Sequence, residues 1–209
     1  MNKIKKFKIS LRRKSISQKI LRANLDLKSA GIDGEFELDK FIVGLYSSLN
    51  PGVVYKLYEG APMELEALGL RNKEIFSACV LTLGAETENQ IAQMPNAQLQ
   101  TAANIALFEF LRTAVQFSAE LIKEQAAKED FETEGIEILY APSFAYAQEP
   151  KFLADAPRTP PDIAAKILPF IFDDVNTAKI NVSLDGGAVS PKAVVAFLAP
   201  WKKLKRKNK

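Results

Sequence analysis

The sequence predicts one α+β domain, and three stretches carry that prediction. Residues 75–91 (IFSACVLTLGAETENQI) open with a mostly apolar run, break at Gly84 and continue into Glu86 and Glu88 before a polar helix start. A run of this kind, ended by glycine, reads as a strand buried on both faces. Residues 97–127 carry the longest helical pattern, with Ile105, Phe108, Leu111, Val115 and Leu121 as apolar contacts. Residues 179–184, Asp185-Gly186-Gly187 and residues 193–198 read as strand, turn and strand, because Asp-Gly favours tight hairpin turns. The chain has 209 residues, no internal repeat and no obvious linker. One domain over 15–200 is therefore expected, between a basic N-terminal arm at 1–14 and a basic C-terminal tail at 201–209.

The remaining elements follow in order. Residues 3–14 (KIKKFKISLRRK) are basic with apolar residues interspersed, which suits a mobile arm, an edge strand or a surface helix. A solvated tail is the preferred reading. Ile16, Ile20, Leu21 and Leu25 predict a short amphipathic helix with Ser15 or Ser17 as its cap. Gly31 and Gly34 mark a turn, and Leu38, Phe41, Ile42 and Leu45 place a second helix over 37–48. Asn50-Pro51-Gly52 ends it, and VVYKLY at 53–58 alternates as a strand. Residues 63–70 form a short helix or an irregular connection. In the long helix Glu109, Arg112, Gln116 and Glu120 recur on one narrow face, either its wet edge or the wall of a cleft. Residues 136–152 lack a period and suggest an ordered coil with Tyr140, Phe144 and Tyr146 packed inward. A helix over 160–173 follows, with Thr159 as cap and prolines in a first turn whose N–H groups have no intrahelical partner.

Composition removes several function classes. Histidine is absent and Cys79 is the sole cysteine, set inside the apolar strand. Ser–His–Asp and Cys–His nucleophiles, imidazole metal ligation and a cysteine zinc cluster are thereby excluded. Cys79 is read as a small buried hydrophobe. No apolar run approaches a membrane span, and lysines interrupt the N-terminus where a signal peptide would be apolar, so the expected compartment is the cytoplasm. The net charge of +3 conceals a segregation: residues 1–28 carry +9, residues 201–209 carry +6, and the body between them carries −12. The basic ends would suit an acidic partner; nucleic acid is the weaker alternative.

There is no phosphate loop and no dinucleotide-binding turn. The acid pairs Glu86/Glu88 and Asp173/Asp174 could serve acid–base work, yet adjacent exposed acids are ordinarily solvated. A likeness adds what composition lacks. Lys19-Ile20-Leu21-Arg22, residues 50–58, Thr82-Leu83-Gly84 with Glu88, and residues 180–198 (INVSLDGGAVSPKAVVAFL) occur collinearly over nearly the whole chain. Together they resemble the activation (reactivation) domain of vitamin B12-dependent methionine synthase, in its free-standing bacterial form.

That resemblance implies a single C-shaped α+β domain with a central twisted antiparallel sheet flanked by helices, binding S-adenosylmethionine in a shallow groove. It implies a methyltransferase component of methionine biosynthesis. The partner would be a cobalamin-dependent methionine synthase or another corrinoid protein, reduced by flavodoxin or another donor. The protein would place the sulfonium methyl over cobalt. Carried over by motif, the groove residues are Tyr146, Ala145, Ser143, Gln116 and Glu88. The family's Arg-x-x-x-Gly-Tyr motif corresponds to Ala141-Pro142-Ser143-Phe144-Ala145-Tyr146, which keeps the Tyr and lacks the Arg and Gly. The missing Arg removes a planar fork suited to a carboxylate, and Ala145 would crowd a backbone approach that Gly permits. Gln116 stands for a carboxylate, and Val194 and Ala196 stand for serines. The alternative is therefore a non-catalytic docking module of the same fold that has lost S-adenosylmethionine binding.

Overall fold

The computed structural model describes residues 2–68, 75–143 and 155–204, and its scaffold is a six-stranded sheet. The first half of the chain forms β1 (Asn2–Lys5), α1 (Arg13–Arg22), α2 (Glu35–Ser47), β2 (Gly52–Glu59), β3 (Ile75–Thr82) and α3 (Glu86–Ala92). The second half forms α4 (Ala97–Lys128), β4 (Phe131–Thr133), β5 (Glu137–Tyr140), α5 (Pro161–Asp174), β6 (Ser183–Asp185), β7 (Ala188–Ser190) and β8 (Val194–Lys203). Sheet order is β1-β2-β3-β8-β4, β5 also pairs with β8, and all these ladders are antiparallel. The chain is thus a single α+β domain, as the sequence predicts.

Period-two alternation in β3 and β8 builds two cores, one on each face of the sheet. Cys79, Leu81, Val195, Phe197 and Trp201 face a layer made by α1, α2 and α4. Phe76, Ala78, Val80, Val194, Ala196 and Leu198 face α5 and the 3-10 turns at Met63–Leu68 and Thr177–Ile180. The expectation of a strand buried on both faces is met: every residue of β3 after Ile75 is buried. Burial alone pushes the Cys79 thiol well above its ordinary range, so it stays a protonated hydrophobe.

α4 is the long helix expected from the periodicity. Its 32 residues span about 48 Å and pack on β3, β8 and β4. Asn96 caps it, its side chain accepting the Gln98 N–H at 2.7 Å. The polar stripe on this helix is a wet edge only at Glu120, which is 66% exposed beside Lys123. Glu109 is only 3% exposed and accepts from both Arg112 and Lys19 of α1, while Arg112 also reaches the Gln116 amide oxygen at 3.2 Å. The other three residues form a polar knot that ties α1 to α4 through Lys19.

Several expectations are corrected. The N-terminal arm is not a solvated tail. Asn2–Lys5 pairs with β2 as an edge strand, Phe7 and Ile9 are buried, and Phe7 stacks on Phe117 with centroids 4.7 Å apart. Apolar residues between the lysines anchor the segment, as Ile4 packs against the core. The C-terminal segment is likewise partly sheet, since β8 runs through Lys203 and Trp201 is buried. The stretch at 136–152 is not all coil: Glu137–Tyr140 is a strand beside β8, and Phe144 and Tyr146 lie outside the described residues.

The hairpin also differs. Gly186 and Gly187 both take positive φ (53° and 86°), as a two-residue primed turn requires. It closes only Ser183–Asp185 against Ala188–Ser190. Residues 193–198 instead join the main sheet, because a strand buried on both faces needs long neighbours, and β3 supplies one along eight paired positions. Caps differ too: α1 starts at Arg13 without a serine cap, and Thr159 donates its hydroxyl to Glu137 at 2.6 Å rather than capping α5.

Candidate functional site

The end of β3 and the start of β8 form one joint. Gly84 follows β3 with φ 87°, in the left-handed region. A Cβ there would lie 3.1 Å from the Asn50 Cβ and 3.2 Å from its carbonyl oxygen, so glycine allows both the turn and the close approach. Asn50 N–H donates to the Leu83 oxygen at 2.9 Å, and Leu83 N–H to the Ala193 oxygen at 3.1 Å. These bonds bring the ends of α2, β3 and the β7–β8 connection together.

α3 begins two residues later. The hydroxyls of Thr87 and Ser48 lie 2.9 Å apart and tie its first turn to the end of α2. Glu88, in that same turn, is half-buried and accepts the main-chain N–H of Lys192 at 2.9 Å and that of Ala193. A carboxylate holding two amide donors is positioned rigidly, and it keeps lone pairs for a further donor. The Tyr140 phenol is raised above its ordinary range, first by burial and then by the negative charge of Glu88, so it remains a neutral hydroxyl.

Beside Glu88 opens a cleft of about 380 Å³ lined by Asn89, Gln100, Asn104, Ser143 and Lys192 among others. Gln100, Asn104 and Leu107 reach it from α4 at helical spacing. Of the residues carried over from the family resemblance, Glu88 and Ser143 meet in this cleft. Gln116 does not line it: it lies nine residues beyond Leu107, about 13 Å further along the helix axis, and joins the Arg112 knot. Ala145 and Tyr146 lie outside the described residues. Lys192, Asn89, Gln100 and Asn104 were not singled out from the sequence. Only the spacing of positions 100, 104 and 107 on a predicted helix carried a signal for the last two.

A second, largely apolar cavity of about 520 Å³ lies between β5, α5 and the β6–β7 hairpin, lined by Ile138, Tyr140, Thr159, Ala164, Leu168 and Leu184 among others. The acid pair Asp173/Asp174 stands elsewhere. Lys56 Nζ donates to both Asp174 oxygens (2.7 and 2.9 Å), and the Tyr58 hydroxyl donates to the same carboxylate. Tyr58 stacks on Phe76 at 4.9 Å. Partial burial works against ionisation of Asp174, but the hydrogen bonds from Lys56 and Tyr58 and the Lys56 charge hold its carboxyl below the ordinary range. Among the described residues no group of three or more His, Cys, Asp or Glu could hold a metal ion, and no helix is long and apolar enough to cross a membrane. No protein-family model and no curated protein matches the chain.

Proposed function

We propose that this chain is an S-adenosylmethionine-binding relative of the methionine synthase activation domain, assisting reductive methylation of a cobalamin held by a partner corrinoid protein. The observation that supports it most is Glu88 bound to the main chain at Lys192 and Ala193. Two of the segments that resemble the family, 104 and 105 positions apart at these contacts, thereby build one cleft. Its volume falls within the roughly 300–1,000 Å³ of small-molecule sites, and a fixed carboxylate with amides and a hydroxyl suits a polar, cationic ligand.

S-adenosylmethionine, when bound, supplies an electrophilic methyl on a sulfonium. The chain's own part is to hold and orient it: Glu88 and Ser143 line the cleft, and Ala145 and Tyr146 belong to the site by resemblance. The protonated Tyr140 hydroxyl stands near Glu88 as a neutral donor. Such a role needs neither histidine nor a reactive thiol, which fits a chain whose single cysteine is buried and protonated. The partner would carry the cobalamin, an acidic flavodoxin-like donor would meet the basic ends, and the cytoplasm would be the compartment.

Calorimetric titration with S-adenosylmethionine tests this reading. Saturable binding that weakens in Tyr146→Ala is the expected result. No heat at millimolar ligand would overturn it and assign the fold to docking a corrinoid protein without the ligand.

A further inference from the structure

The cleft beside Glu88 holds opposite charges at one place. Lys192 lines it together with Glu88, and Glu88 accepts the main-chain N–H of that same lysine. The carboxylate is therefore rooted at the foot of the lysine side chain. The two side chains nevertheless form no ion pair with each other, and Lys192 carries no salt bridge among the described residues. Lys192 is exposed and Glu88 half-buried, which places an open cation beside a held anion. A carboxylate has about four lone-pair sites, so two remain on Glu88 after its two amide donors.

We propose that Glu88 and Lys192 together bind the two charged ends of an α-amino-acid group, Glu88 taking the ammonium and Lys192 the carboxylate. A zwitterion satisfies both side chains at once, which neither a simple cation nor a simple anion would do. Ser143, on the same cleft, adds a hydroxyl that can serve either end. Lys192 thereby supplies, from the β7–β8 connection, the positive charge that the Arg-less segment at 141–146 lacks. A lysine ammonium is a point charge and no planar fork, so the carboxylate is held less tightly than by a bidentate Arg. The inference rests on the S-adenosylmethionine reading only for the identity of the larger ligand; the charge pair stands without it.

The test compares S-adenosylmethionine with decarboxylated S-adenosylmethionine, which lacks only the carboxylate, by calorimetry on the wild type, Lys192→Ala and Lys192→Arg. Free L-methionine is titrated in parallel. Lys192→Ala is expected to weaken S-adenosylmethionine about tenfold while leaving the decarboxylated analogue unchanged, and Lys192→Arg to restore the loss. Equal weakening of both ligands, or no weakening, overturns the inference while leaving the ligand reading intact. If neither S-adenosyl compound binds but L-methionine does, and Lys192→Ala abolishes that binding, the charge pair is upheld and the S-adenosylmethionine reading is lost. No binding of any of the three at millimolar concentration overturns both.

Discussion

Glu88 and Ala193 stand 105 positions apart in sequence, yet the carboxylate of the first accepts the main-chain N–H of the second. The contact fastens the first turn of α3 to the chain just before β8, at the rim of the proposed ligand cleft. It links the fold to the site, because the residue that holds the joint is the residue that would meet the ligand.

Glu88→Gln keeps the shape of the side chain but replaces a charged acceptor of two amide bonds with a neutral amide. Hydrogen bonds to charged groups contribute about 1.5–3 kcal/mol, so a loss of that order is expected in urea denaturation, with the slope unchanged. A variant as stable as wild type would mean that these bonds contribute little.

Gly84→Ala should be damaging although it adds one methyl group. It forces alanine to φ 87° and sets its Cβ against Asn50, whose backbone oxygen would be 3.2 Å away. The expected cost is about 1–3 kcal/mol. Because Asn50 itself bonds Leu83, the variant should also loosen the joint, read as faster amide exchange at Asn50.

The knot at Glu109 predicts an order of effects. Glu109→Ala leaves the Arg112 guanidinium, only 15% exposed, with the neutral Gln116 amide but without its carboxylate, and breaking a buried pair in this way costs about 3–5 kcal/mol. Lys19 is 43% exposed, so Lys19→Ala should cost about 1 kcal/mol or less. Thermal or chemical unfolding of the two variants checks the order, and the reverse order would refute it.

Asp174 sets an acid-limb prediction. Its folded carboxyl titrates below the unfolded value of about 3.9, so its contribution is fully present above that value and is lost as pH falls through the folded one. The stability gap between wild type and Asp174→Asn should therefore be largest near neutrality and close on acidification below about pH 4. A gap independent of pH would contradict the Lys56–Asp174–Tyr58 arrangement.

What the sequence made legible follows from element length and period. β3 and α4 are long, and their apolar patterns match a strand buried on both faces and a long helix packed on the sheet. β4 and β5 are three and four residues long, too short to show alternation, and they exist because β8 offers them an edge. The hairpin departs from its sequence pattern for a related reason. The glycine turn is locally encoded, but the partner of residues 194–203 is chosen by burial against β3, far away in sequence. In the candidate cleft, Glu88 is the residue marked by the Thr82-Leu83-Gly84 motif that precedes it. Lys192 was not, since a lysine after Ser190-Pro191 looks like any surface cation until the fold sets it beside Glu88.

The most direct test of the central claim is photochemical cross-linking of methyl-tritiated S-adenosylmethionine, followed by peptide mapping of the labelled chain. The cleft at Glu88 predicts saturable label in peptides containing residues 86–93, 143–146 or 190–193. Label confined to the apolar cavity of α5, around residues 164–169, or no saturable label at all, would contradict it.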